Sequence, residues 1–299
     1  MITFLDDALF TLQWPLPLII VCGAMALIAV LAYLARTLSV SGSLAAFVCG
    51  VIVLWSTRFE GFLLFLLFFV SCNVVGKVSR NIRKARGARV SKPLEEVQEK
   101  KGHRRDGMQV MANGLMATIA ALLWLIGAKP SALVMFGASI AEATSDTFAG
   151  EIGRLSSKGP VSILTKKPVP VGVSGGVTWL GTIGAFLSSA FIAVCWYVFF
   201  IFTVGPSAVS FHGAALVCLL GFAGAIVDSY LGATIQAIYF DPESRALTEK
   251  DEIDGRKLEL SRGIRWVDND MVNLISNIFS AIFAMGMSAL IGWALSSLA

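Results

Sequence analysis

Residues 130–176 read PSALVMFGASIAEATSDTFAGEIGRLSSKGPVSILTKKPVPVGVSGG. An apolar run takes in Glu142, Asp146 and Glu151, then gives way to Arg154, Lys158 and the pair Lys166 and Lys167. The surroundings decide whether such a run belongs to a soluble core or a bilayer. Hydrophobic residues fill 56% of the 299 positions and charged residues 15%, with a mean hydropathy of +0.75. Soluble domains carry roughly 25% charged residues, so the chain is predicted to be an integral membrane protein. Backbone in lipid must satisfy its own hydrogen bonds, which leaves helices or a closed barrel. The runs are too long and unbroken for alternating barrel strands. The predicted fold class is therefore all-α: a polytopic integral membrane helix bundle.

Working outward from 130–176, eight hydrophobic segments lie near 16–35, 42–56, 60–76, 107–127, 130–150, 175–204, 212–236 and 271–297. The second is short for a span of about 20 residues, and the fifth is interrupted by Glu142 and Asp146. We read 1–299 as a single transmembrane domain with three polar loops, 77–106, 152–168 and 237–268. The first loop holds eleven Lys/Arg against four acids, the second is basic with no acid after Glu151, and the third mixes both signs. The positive-inside rule places such loops in the cytoplasm. An even number of spans separates each from the next, so all three can share that side, with both termini outward. Attraction to anionic headgroups accounts equally well for Arg80 to Arg89. The expected location is the cell membrane, multi-pass.

Some chemistries are disfavoured at once. The five cysteines sit singly in apolar segments with no ligand spacing, as small buried hydrophobes do. His103 and His212 are far apart, which argues against a histidine metal site or a His-based triad. The N-terminus, MITFLDDALF, lacks the basic start of a signal peptide. No GxxxxGK[ST] motif occurs, so this is not a P-loop protein, and nothing points to a nucleic-acid partner.

Charged groups inside a span survive when they face a polar cavity, pair, or bind an ion. Glu142 and Asp146 share a helical face at i,i+4. Glu151 lies about 140° round from Asp146 on an ideal helix and converges only if the segment ends or bends near Gly150 and Gly153. Gly172, Gly175 and Gly176 then offer backbone N–H groups where the next helix begins, a natural anion site. Three further polar islands recur: RRDGMQVMANG, with Arg105, Gln109 and Asn113; DSYLGATIQ, with Asp228, Ser229, Thr234 and Gln236; and DNDMVNLISN, with Asp268, Asp270, Asn273 and Asn277. Each alone reads as a helix–helix hydrogen bond or a cap. Together, on one side of the bilayer, they predict a shared polar site.

Those islands, with LTKKPVPVGVSGGVTWLGTIGA, resemble a polytopic membrane family known as domain of unknown function family 92. It includes transmembrane protein 19 and the phytyl-phosphate kinase of tocopherol synthesis. The resemblance runs from about residue 100 to the end of the chain. It implies transfer of the terminal phosphate of a nucleotide, CTP by analogy with related polyprenol kinases, to an isoprenyl monophosphate such as phytyl, geranylgeranyl or farnesyl phosphate. Under it, Asp146, Glu151 and Asp228 are the expected Mg²⁺ ligands, and Arg154, Lys166 and Lys167 neutralise phosphate oxygens. Arg105, Asn113, Gly172, Gly175, Gly176, Ser229, Thr234, Gln236 and Asn273 bind nucleotide or phosphate. Asp228 stands where relatives often carry Glu. An ion-coupled transporter, a prenol kinase or a lipid cytidylyltransferase remain alternative expectations.

Overall fold

The computed structural model describes residues 2–86, 104–127, 130–201, 205 and 211–298. Residues 87–103 of the first predicted loop, with Arg89 and His103, lie outside these residues. The described helices are α1 (Ile2–Phe10), α2 (Leu16–Leu34), α3 (Val40–Ala85), α4 (Gly107–Leu125), α5 (Ser131–Gly153), α6 (Trp179–Ile201), α7 (Phe211–Thr234) and α8 (Asn269–Leu298). Six of them (α2, α3, α4, α6, α7 and α8) are long and apolar enough to cross a membrane. The molecule is a multi-pass helix bundle, as composition demands.

The second and third hydrophobic segments are two arms of α3, broken at Arg58, where φ is 57° and ψ −160°. The arms fold back on each other. Ala46 and Phe69 line one hollow, whereas a straight helix would set them about 35 Å apart. Helix α1, absent from the sequence reading, covers the break: Asp6 accepts a hydrogen bond from the Phe59 N–H at 3.2 Å, and the Arg58 guanidinium stacks 3.6 Å from the Phe10 ring centroid.

Helix α5 sits at the centre, against α3, α4, α6, α7 and α8. Every residue from Ser131 to Ser145 is buried, so this helix meets protein on all sides where lipid would have excluded its acids. Glu142 and Asp146 interrupt its apolar run, as expected, but not the helix, which continues to Gly153. Between helices in lipid, small side chains and hydrogen bonds drive association because apolar burial gives no net gain. Both appear here. Gly224 of α7 lies flat against the Glu142 side chain, where a Cβ would collide with it. Trp196 of α6 donates its indole N–H to the Leu133 carbonyl at 2.8 Å.

The polar loops are not featureless. The connector after α5 pairs β1 (Val161–Ser162) antiparallel with β2 (Gly176–Val177). Loop 237–268 folds into β3 (Ile238–Asp241), β4 (Ala246–Thr248), β5 (Glu252–Ile253), β6 (Arg256–Lys257) and β7 (Glu259–Arg262). Strands β4, β3 and β7 form one antiparallel sheet in that order, and β5 pairs with β6. The bundle therefore carries a small β appendage that an all-α reading lacked. Its own apolar cluster, Ala237, Tyr239 and Leu258, holds it together. At its turn the Ser244 hydroxyl first, then the backbone N–H groups of Glu243 and Ser244, and last Arg256 hold the Asp241 carboxyl below its ordinary pKa.

Candidate functional site

The last turns of α5 open into a polar cavity of about 320 Å³, inside the usual size range of small-molecule sites, about 300–1,000 Å³. Asp146 and Glu151 line it from α5, Asp228 and Ser229 from α7, Arg154 and Lys158 from the connector, and Asn269 from the start of α8. The carboxyls of Asp146 and Asp228 lie within hydrogen-bonding reach of each other. Two carboxylates at that range repel unless a proton or cation lies between them.

A hydrogen-bonded spine fixes Asp228 from behind. The Ser276 hydroxyl lies 2.7 Å from Glu142 Oε1 and 3.2 Å from Asp228 Oδ2. Asn277 donates to Glu142 Oε2 and, at 2.9 Å, to the Ser139 carbonyl, and accepts from Ser139 Oγ at 2.7 Å. With its amide nitrogen turned towards the carboxylate, Asn273 donates to Asp228 Oδ2 at 3.0 Å. Glu142 is thus a structural partner of α8, one layer behind the cavity, and not one of its walls.

Glu151 reaches the cavity because α5 ends at Gly153, one of the two ways the sequence allowed, and the cavity wraps round that end. Its backbone carbonyl accepts from Ser79 Oγ at 2.8 Å, and Arg154 Nη1 stands 4.0 Å from Oε1. The second oxygen, Oε2, is buried with no hydrogen-bond partner among the described residues. That orphaned oxygen and the Asp146–Asp228 contact are hard oxygen donors suited to Mg²⁺. Among the described residues no three acidic, histidine or cysteine side chains form a ready metal cage. Mg²⁺ needs none, since it is usually held by one or two carboxylates plus substrate phosphates and water.

Two parts of the anion site need correction. Lys166 and Lys167 do not reach the cavity; they are exposed at the tip of a turn in which Ser162 N–H bonds the Lys167 carbonyl at 2.9 Å. Lys158 takes their place on the wall. Gly172, Gly175 and Gly176 do line the cavity, but they do not open the next helix. That helix starts at Trp179, with Thr178 Oγ1 accepting the Gly181 N–H at 3.0 Å. The Gly176 N–H is taken by the Val173 carbonyl. A threonine cap satisfies one of the orphan donors that an anion would have met.

The remaining predicted residues divide. Ser229 and Gln236 face the cavity, while Thr234 is exposed and turns its hydroxyl back to the Tyr230 carbonyl at 2.9 Å. Arg105 and Asn113 line a separate apolar groove.

Glu249 and Arg262 escaped the sequence reading. Glu249 Oε1 receives Ser174 Oγ at 2.6 Å and Gln236 Nε2 at 2.8 Å. Arg262 donates to the carbonyls of Ser174 at 2.9 Å and Gly232 at 3.1 Å, and burial pulls its pKa below the ordinary value. Together they clamp the glycine connector against α7. Gly175 fits there because its φ is +81° and a Cβ would strike the Ala233 backbone. In the sequence these two charges look like any solvated loop.

A buried helix carrying carboxylates to a cation-rimmed polar cavity, in a multi-pass bundle, defines an integral membrane protein with an anion- and metal-compatible site at one end. The chain belongs to the integral membrane protein family DUF92, which matches residues 23–281. It is 28% identical to Protein PGR of Arabidopsis thaliana, over 85% of this chain and 90% of that one. It is 32% identical to an uncharacterized membrane protein of Methanocaldococcus jannaschii, over 67% and 76%. With Protein VTE6, chloroplastic, of Arabidopsis thaliana the identity is 29%, over 85% and 66%. No solved structure matches.

Proposed function

We propose that this protein is an isoprenyl-phosphate kinase that passes the terminal phosphate of CTP to an isoprenyl monophosphate. The observation that carries the reading is the meeting of Asp146 and Asp228 on the wall of a cavity that also holds Arg154 and Lys158. Membership of the family that includes VTE6 supports the acceptor class. In this reading the cavity faces the cytoplasm, where the nucleotide is found, and the protein resides in the cell membrane with its long polar loops inside.

The reaction needs little acid–base chemistry. An acceptor monophosphate has its second pKa near 6 and is mostly a dianion at neutral pH. One of its oxygens attacks the γ-phosphorus; the bond from that phosphorus to the β,γ-bridging oxygen breaks, and CDP leaves with the electron pair. The obstacle is bringing two anions together, which positioned cations relieve in a site of low dielectric. Asp146, Asp228 and Glu151 would hold Mg²⁺, which when bound neutralises charge on the phosphate oxygens. Arg154 and Lys158 bind further oxygens, and Ser276, Asn273 and Asn277 keep Asp228 aimed into the cavity.

The direct test is product analysis with purified protein, Mg²⁺, geranylgeranyl monophosphate, and CTP, ATP, UTP or GTP. Lipid diphosphate and CDP are expected. Pyrophosphate with a CMP-linked lipid would identify a cytidylyltransferase instead, and solute movement by vesicles without any lipid product would identify a transporter.

The corrected positions of the lysines give a second test. Lys158→Ala is expected to raise KM for the nucleotide about tenfold, the loss of one charge-assisted contact. The double variant Lys166→Ala, Lys167→Ala should shift it less than about twofold, because exposed charges outside the cavity are well screened. Steady-state kinetics at fixed ionic strength read both.

A further inference from the structure

Arg105 and Asn113, left out of the phosphate cavity, head an apolar groove of their own. Its walls are Met25, Ala29 and Ala32 of α2, Ala46 from the first arm of α3, and Phe62, Phe65 and Phe69 from the second. The break at Arg58 creates it, by folding the aromatic arm back beside the small residues of the other. The groove encloses about 70 Å³, and a wholly apolar hollow of about 380 Å³ adjoins it, sharing Ala29 and running between α2 and the first arm. An arginine stands beside each hollow. Arg105 lines the first, and the Arg104 guanidinium lies 5.7 Å from the ring of Tyr33, which lines the second.

Arg105 is held in place by its backbone. Its N–H bonds the Thr37 carbonyl at 3.0 Å and its carbonyl accepts the Ser39 N–H at 3.0 Å. It also links the groove to the phosphate cavity: Arg105 and Thr147 both lie beside the Cys72 thiol, and Thr147 is cavity wall together with Asp146. Adjoining apolar hollows, two arginines beside them, and the cavity carboxylates close by match a ligand with an apolar chain and a doubly charged phosphate end.

We propose that the groove between α2, the two arms of α3 and the start of α4 holds the isoprenyl chain of the acceptor, with its monophosphate under Arg105 and Asn113. The identity of the acceptor rests on the kinase reading above; the place of the chain rests on the groove. Bulk phospholipid, the other occupant of apolar space between helices, has a diester headgroup carrying one charge on its phosphate, which paired arginines fit less well than a dianionic monophosphate.

A C20 isoprenyl monophosphate with a diazirine near the tail end, photolysed with the full-length protein in nanodiscs, tests this by mass-spectrometric mapping. Labelling of α2 or α3 residues around Met25 and Phe65, displaced by unlabelled C20 monophosphate, is expected. Ala46→Phe, which fills the slot, should cut labelling about tenfold, while Leu290→Phe, on an exposed face of α8, leaves it unchanged. Arg105→Ala should raise the half-saturating concentration of the monophosphate probe about tenfold and leave that of the corresponding alcohol probe unchanged. Labels on α6 or α7, or groove labels that phosphatidylglycerol displaces as well as the monophosphate does, would overturn the proposal. Groove labelling without diphosphate formation would keep the groove and remove the kinase reading; diphosphate formation with labels elsewhere would do the reverse.

Discussion

Asp146→Asn is expected to lower the rate of lipid diphosphate formation about 10³-fold, the scale seen when one preorganised charge-stabilising group is removed from a dry site. Asn has the same size and can still bond Asp228, so the loss reflects charge and not shape. The stability should move the other way. Asp146 and Asp228 press two carboxyls together, and replacing one by an amide removes a like-charge contact. In chelator, the melting temperature of Asp146→Asn should equal or exceed that of wild type, and Mg²⁺ should raise it less. A variant that lost activity because it unfolded would melt earlier, so thermal melts with and without Mg²⁺ separate the two causes. Undiminished turnover by Asp146→Asn would remove this carboxylate from the chemistry.

Asn277→Leu should be strongly destabilising. It takes from Glu142 Oε2 its amide donor and leaves the Ser139 carbonyl and hydroxyl without their partner, all in a fully buried layer. Removing one member of a buried charged network costs about 3–5 kcal/mol. With about 2–4 °C per kcal/mol for domains of 150–250 residues, a fall of roughly 10 °C is expected. Activity should fall as well, because Ser276 bridges Glu142 and Asp228 and loses its orientation when Glu142 shifts. The double variant Glu142→Leu, Asn277→Leu should recover part of the melting temperature, since no carboxyl is then left buried without its amide donor, while the Ser139 hydroxyl and carbonyl still lack their Asn277 partner. A double variant less stable than Asn277→Leu would mean that Glu142 has a role beyond this spine.

The helical spans were legible because a bilayer permits few solutions. The six helices that qualify as spans match predicted segments, and the fifth segment became α5 despite its acids. The acids themselves were legible as a problem: Glu142, Asp146 and Asp228 sit in apolar runs where only a partner or a cavity explains them. Their division of labour was not. Glu142 and Asp146 share a face at one helical turn, yet Glu142 meets Ser276 and Asn277 while Asp146 meets Asp228 and the cavity. Which neighbour each carboxyl meets depends on how α7 and α8 cross α5, and spacing within α5 carries no information on that. Lys166 and Lys167 failed for a related reason. A lysine pair in a glycine-rich connector has the composition of a phosphate clamp, but the β1–β2 pairing turns it outward and brings Lys158 to the wall.

Composition and hydropathy alone determined that this chain is a multi-pass helix bundle, because unsatisfied backbone in hydrocarbon costs too much for any open alternative. They also determined that its intramembrane acids need company. Tertiary structure alone decided which residues keep that company: the Asp146–Asp228 contact, the spine behind it, the clamp of Glu249 and Arg262, and the groove opened where α3 breaks at Arg58. Each of these joins side chains far apart along the chain, and such distances close only when whole helices pack.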